Sequence, residues 1–168
     1  MPKKKFIWLF ALCCLLPVAL AQLVLTQGWF SAGASSKGQW LAEEIKLLPE
    51  VPASAPHWRL VYLAPTPCNS DCQQTLQLMT QIHTALGRKQ QQLTLWVIGA
   101  QAPAELQAPI QFQQGENNNL QGQLVLVEHQ GLALLHYAMP KDLQQLPLTG
   151  KAVMADLQKL MKFDRGPV

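Results

Sequence analysis

The chain has 168 residues, 14% charged and 49% hydrophobic, with a formal net charge of +3 and four cysteines. The charged fraction is well under the usual one-quarter or so, so glutamine carries much of the polar surface; without Lys3, Lys4 and Lys5 the remainder is close to neutral. No basic stripe and no interleaving of aromatic with basic residues is present, which argues against a nucleic-acid partner.

At the N-terminus, Lys3-Lys4-Lys5 precedes Phe6 to Leu25, a run without a charge. Its length, about twenty residues, is what crosses a bilayer. A basic flank stays on the cytoplasmic side, which exports the C-terminal part of the chain. Trp8 and Trp29 bracket the run as interface anchors, and membrane helices tolerate a residue such as Pro17. The competing reading is a cleaved signal peptide, with Ala19-Leu20-Ala21 as the small-x-small site. Apolar residues continue through Leu23-Val24-Leu25 and Trp29-Phe30 suits an interface, so the uncleaved anchor is preferred. Both readings export the domain. Cys13 and Cys14 read as small apolar residues of the anchor. Residues 1–30 are thus expected to form the anchor, residues 31–56 a linker and lead-in, and residues 57–168 the folded domain outside the cytoplasm.

Ser31 to Gly38 is small and polar, a flexible spacer. Gln39 to Leu48 is expected to be extended, and Pro49, Pro52 and Pro56 forbid regular helix. His57 beside Trp58 reads as a strand-edge residue. A first strand is expected over residues 59–64, then the turn Pro65-Thr66-Pro67-Cys68-Asn69-Ser70-Asp71-Cys72. From Gln73 to Leu86, Leu76, Met79, Ile82 and Leu86 recur at helical spacing, and Gly87 with Arg88 and Lys89 closes the helix. Leu93 to Ile98 is nearly all apolar, as in a parallel strand buried on both faces. Residues 99–121 are rich in Gln, Asn, Pro and Ala and read as a loop, with a short helix near 103–108. Residues 124–127 form a third strand, Glu128-His129-Gln130-Gly131 a turn, and residues 132–137 a fourth strand. Residues 151–163 close the chain as a helix with Val153, Met154, Leu157, Leu160 and Met161 on one face. The order β-α-β, β-hairpin, α is that of an α/β thioredoxin-like fold, with the cysteines at the first strand-to-helix turn.

Cys68 and Cys72 are spaced C-x-x-x-C. If both lie in the helix, they share a face and lie close enough to bridge or to chelate. Three uses stay open: binding of a thiophilic ion such as Cu(I), normally with a third ligand, cycling between dithiol and disulfide, and a static bridge. A bridge across so small a loop adds little by chain entropy. A thioredoxin-type C-x-x-C is absent. The residues before the third strand, Leu120-Gln121-Gly122-Gln123, lack the proline that thioredoxins carry there. No Ser-His-Asp arrangement, phosphate loop or zinc signature is visible, so enzymatic activity beyond thiol–disulfide exchange is not assigned. His83 reads as a helix-surface residue, His129 as a turn residue and His136 as a projecting strand residue.

The strand Leu60 to Ala64, Thr66-Pro67-Cys68-Asn69-Ser70-Asp71-Cys72 and the helix from Gln73 to Leu86 together resemble the SCO/SenC proteins. These are membrane-anchored copper chaperones of thioredoxin fold that serve cytochrome c oxidase. Leu124 to Gly131 and Asp156 to Leu160 resemble their later strand-turn and final helix. Over its whole length the chain is similar to small single-pass proteins associated with bacterial cytochrome oxidase assembly; Leu16 to Ala21, Gly28-Trp29-Phe30 and Lys37-Gly38 carry that likeness. The resemblance implies a bacterial inner-membrane protein with its C-terminal domain in the periplasm. It implies copper as the associated metal, and oxidase subunits or other assembly factors as partners. Of the family's copper ligands only Cys68 and Cys72 carry over: Gln73 stands where a proline is usual, and Asn117 to Gln123 contains no histidine where the third ligand falls. Copper delivery or thiol redox control through the pair is therefore one expectation. A non-catalytic scaffold of the assembly machinery, with silent or bridged cysteines, is the other. A peroxidase is disfavoured, since no arginine stands near either cysteine in the sequence.

Overall fold

The computed structural model describes residues 3–26, 36–52, 54–104, 106–116, 118–140 and 142–163. The chain divides into two compact units, Met1–Ser35 and Ser36–Val168.

The first unit contains helix α1, Lys3–Thr26, with Pro17 inside it. Trp8, Leu9, Phe10, Leu12, Leu15, Leu16, Val18, Leu20 and Leu23 are exposed on it, as are the free thiols of Cys13 and Cys14. Among the described residues no helix is long and apolar enough to cross a membrane. The apolar run read from the sequence also includes Phe6, Ile7, Ala11, Val24 and Leu25, whose side chains lie outside the described set, as do Trp29 and the spacer up to Ser35.

The second unit is a six-stranded mixed sheet in the order β1-β6-β5-β2-β3-β4. Its strands are β1 (Gln39–Trp40), β2 (Trp58–Leu63), β3 (Leu93–Gly99), β4 (Ile110–Gln114), β5 (Gln123–Val127) and β6 (Ala133–Ala138). Strands β2, β3 and β4 run parallel, while β5 is antiparallel to β2 and β6, and β1 to β6. Every residue of β2 is buried, as its apolar run and its position between two strands require. Helices α2 (Ser70–Ala85) and α3 (Leu146–Phe163) pack against each other.

Both helices cover the same face. There Leu60, Leu95, Val97, Leu124, Leu126 and Leu135 of the sheet meet Leu76, Met79 and Ile82 of α2 and Val153, Leu157 and Met161 of α3. On the opposite face Val61, Leu63, Ile98, Val125 and Val127 are covered by Leu48, Leu120 and the half-buried Leu41, Ile45 and Leu47. Residues 41–48 therefore act as a strap. The Leu41 amide donates to Leu134 O at 3.1 Å, Ala133 N to Ile45 O at 2.9 Å and Leu47 N to Gly131 O at 2.9 Å. Gly131 has φ of 91°, and a Cβ on it would stand 1.9 Å from Leu48 O, so only glycine fits where the strap meets the hairpin.

One polar centre fastens the strap's start. Asp156, buried in α3, accepts from Lys37 N at 2.8 and 2.9 Å, Gly38 N at 2.7 Å and the Tyr137 hydroxyl at 2.8 Å. A Cβ at Gly38 would lie 2.6 Å from the Tyr137 ring. Burial, followed by the hydrogen bond to Asp156 and its charge, raises the Tyr137 hydroxyl far above the ordinary range.

The expected elements from β2 to α3 are present, with four corrections. Residues 99–121 are not simply a loop, because Ile110–Gln114 pairs in parallel with β3. No helix spans 103–108 among the described residues. The strand is an edge, so only Ile110 and Phe112 need be apolar and the alternation is diluted by glutamines. Helix α2 begins at Ser70 rather than Gln73, since Asn69 caps it. Helix α3 begins at Leu146 rather than Lys151 because Pro147, in its first turn, starts a helix instead of breaking one.

Candidate functional site: the Cys68–Cys72 turn

The turn stands at the C-terminal end of β2. The Ala64 amide continues the strand by donating to Ile98 O at 2.9 Å, and Leu63 O accepts from Gly122 N at 2.7 Å. Gly122 has positive φ and precedes β5, where the sequence lacks the thioredoxin proline. The peptide Thr66–Pro67 is cis, as is Ala108–Pro109 before β4.

Asn69 is the N-cap of α2: its backbone is extended and its side-chain oxygen accepts from Cys72 N at 3.0 Å. This satisfies one of the amides that a helix start leaves without a partner. Cys68 therefore sits outside the helix and Cys72 in its first turn, not both on one helical face. Their Cα atoms are 5.3 Å apart and their sulfurs are bonded. Cys72 is fully buried in the core under α2, whereas Cys68 is half-buried at its edge.

Two charges act on the turn in opposite senses. The amide ends of α2 favour an anion at Cys68. Asp71, an exposed acid in the first turn, opposes one. Beneath the turn Thr75 donates to Asp71 O at 2.8 Å, and the hydroxyl of Tyr62 is raised above its ordinary range, chiefly by burial.

Among the described residues, a hollow of about 110 Å³ lies beside the first turns of α2, lined by Gln73, Leu76, Gln77, Thr80, Gln107 and Ile110. A cavity of about 20 Å³ lies between Ala64, Thr66, Gly99, Gly115 and Gln121, room for no more than a water. The larger groove, along α2, is lined by Gln77, Thr80, Gln81, Thr84, Ala85 and Gln107, with no titratable side chain. Among the described residues no group of three or more His, Cys, Asp or Glu is placed to hold a metal ion. His83 is half-exposed on α2, and His136 Nδ1 pairs with Gln123 Oε1 at 2.6 Å on β6. His57 and His129 meet at the other end of β2, with Nε2 of the first 2.9 Å from Nδ1 of the second. Sequence reasoning missed that meeting. Its signal lies in the strand register, which pairs Arg59 with Val127 and, extended by two residues, sets 57 opposite 129.

Residues 58–164 match the family described as transmembrane-like, thioredoxin-like, C-terminal domain. The chain belongs to that family. Its fold is similar to that of apo Sco1 from Thermus thermophilus in solution, with a TM-score of 0.52 at 15% identity over 77% of this chain and 99% of that one. Two further structures are similar more distantly. One is a SCO1/SenC family lipoprotein from Bacillus anthracis str. Ames, at 9% identity and TM-score 0.47 over 72% of this chain and 99% of that one. The other is yeast Sco1 with copper bound, at 11% identity and TM-score 0.45 over 64% of this chain and 77% of that one. No curated protein matches the chain. At that identity the likeness to the Thermus thermophilus protein shows a shared fold alone.

Proposed function

We propose that this chain is a membrane-anchored accessory factor in the assembly of cytochrome c oxidase, a haem-copper oxidase, working by thiol–disulfide exchange at Cys68 and Cys72. Residues 1–30 anchor it in the bacterial inner membrane, with Lys3 to Lys5 on the cytoplasmic side and residues 57–168 in the periplasm. The basic flank and the uncharged run from Phe6 to Leu25 support the anchor. The exchange reading rests on one observation: a bonded cysteine pair at a strand-to-helix turn, Cys68 half-buried at the edge of the core and Cys72 fully buried.

That asymmetry orders the steps. In the dithiol form the Cys68 thiolate attacks a partner's disulfide, forming a mixed disulfide and releasing one partner sulfur as a thiol. Cys72, as its thiolate, then attacks Cys68 Sγ and releases the second partner sulfur. The partner gains two electrons and two protons, and the chain returns to the bonded form. A small dithiol reductant in the compartment regenerates it. The natural recipients are the paired cysteines of a copper site on an oxidase subunit, which bind metal only when reduced. Copper itself is the cargo of a second version of this reading. Two thiolates suit Cu(I), and with no further donor grouped beside them among the described residues, the partner supplies the remaining ligand.

The rival reading is a scaffold that binds oxidase subunits or assembly factors and leaves its cysteines bridged. The absence of a third metal-ligand residue at the turn, among the described residues, favours it. Complementation of a deletion strain separates the two. Exchange predicts that the Cys68→Ser/Cys72→Ser double variant loses oxidase activity, that Cys68→Ser alone does so too, and that Cys72→Ser traps a mixed disulfide. Full restoration by the double variant would establish the scaffold. For the cargo version, Cu(I) titration of the reduced full chain in detergent should give one bound equivalent that the double variant lacks; unchanged stoichiometry would sink it.

A further inference from the structure

The end of β2 opposite the cysteines carries two imidazoles distant in sequence, His57 just before β2 and His129 in the β5–β6 turn. We propose that His57 and His129 are a second, independent metal site, a cis pair of ligands for a divalent transition ion of Cu(II) type. His57 Nε2 and His129 Nδ1 stand 2.9 Å apart. Their ring centroids are only 4.2 Å apart, with the planes at 48°. An in-line N–H···N bond of that length would set the ring centres about 5 Å apart, so the rings do not meet end to end. Two nitrogens at about 2.0–2.1 Å from one metal are about 2.9 Å apart when they subtend a right angle and about 3.3 Å apart at a tetrahedral angle. The observed spacing is thus the edge of a square plane, the geometry of Cu(II) or Ni(II) rather than zinc, and copper leads the affinity order.

The surroundings suit ligands held in place. Both histidines are half-buried, hence supported yet reachable from solvent. The Trp58 ring leans on His57 at 5.4 Å. On the other side the buried Arg59 guanidinium donates to Pro49 O, Glu128 O and His129 O, which fixes the backbone of the His129 turn. Burial lowers the guanidinium's ionisation and the Glu128 charge raises it in opposition, so Glu128 offsets the cation nearest the pair. Water completes the remaining positions. Imidazole nitrogens select Cu(II) where the thiolates of the other end select Cu(I), so the two ends of one strand address two oxidation states.

The test uses the untagged full chain in detergent with its disulfide intact, titrated with Cu(II) against a weak competing chelator. One equivalent should bind, with electron paramagnetic resonance showing coupling to two imidazole nitrogens. His57→Gln and His129→Gln should each weaken binding by about tenfold or more and reduce the coupling to one nitrogen. The Cys68→Ser/Cys72→Ser, His83→Gln and His136→Gln variants should bind as the wild type does. Should a histidine variant fail to fold, the wild-type nitrogen coupling still decides. Absence of stoichiometric binding, coupling to fewer than two imidazoles, or affinity unchanged in both His57→Gln and His129→Gln overturns the site and leaves a hydrogen-bonded pair. These outcomes are separate from those for the cysteines.

Discussion

The sheet's two faces are covered in different ways. One carries two helices whose leucine, isoleucine, valine and methionine side chains interlock with those of the strands. The other carries an irregular strap, residues 41–48, which lays Leu41, Ile45, Leu47 and Leu48 on the strands and makes a set of backbone hydrogen bonds to the β5–β6 hairpin. The helical face is held by buried apolar area, which is broad and tolerant of rearrangement. The strap is held by a few directional contacts and one glycine, which is narrow and intolerant. The same domain thus has a side that fails by losing volume and a side that fails by losing fit.

Substitutions on each side sharpen this contrast. Leu126→Ala, on the helical face and fully buried, should cost about 4 kcal/mol of unfolding free energy from lost transfer and a residual cavity, read from denaturant midpoints. Gly131→Ala adds volume instead of removing it. It should cost about 3 kcal/mol, from strain at positive φ and collision with Leu48 O, with the loss shown as faster hydrogen exchange of the Leu41 and Leu47 amides while those of α2 stay protected. A protection loss spread evenly over both faces would break the comparison.

The next effect is alkaline. The hydroxyls of Tyr137 and Tyr62 ionise above their ordinary range in the fold, chiefly through burial. The unfolded chain therefore surrenders these protons first. Stability is full below about pH 10 and falls above it by about 1.4 kcal/mol per pH unit for each tyrosine. Tyr137→Phe lowers the plateau by removing the bond to Asp156, and it should also halve the slope. An unchanged slope would show that the fold does not hold the Tyr137 phenol neutral. The smallest effect belongs to the turn: Asn69→Ala should cost about 1 kcal/mol and leave the bridge formed by alkylation assay.

Much of the helical side was legible in the sequence. Four of the strands have continuous or alternating apolar runs, and α2 shows its buried stripe at helical spacing. The strap side was less so, because its determinants are single residues: Asp156 reads as a surface acid of a helix until Lys37 and Gly38 come to it. Strand β4 was hidden by the glutamines of an edge. At the turn, the position of the pair was readable from the strand–Cys–helix order, while the placement of Cys68 outside the helix depended on Asn69 capping, which spacing does not reveal. The imidazole pair required the register of β2 on β5, and no local pattern encodes that.

The Asp156 centre has a mechanical consequence. Tension applied along the chain N-terminal to Ser36 enters the folded unit at the Lys37 and Gly38 amides, and a carboxylate on α3 is the first thing to resist it. Behind that, the load passes along β1 into β6 at the edge of the sheet. Strand β2, which leads into the Cys68 turn, lies two places further in, beyond β5. Load entering from that side meets the edge of the sheet before it reaches the turn that carries the sulfurs.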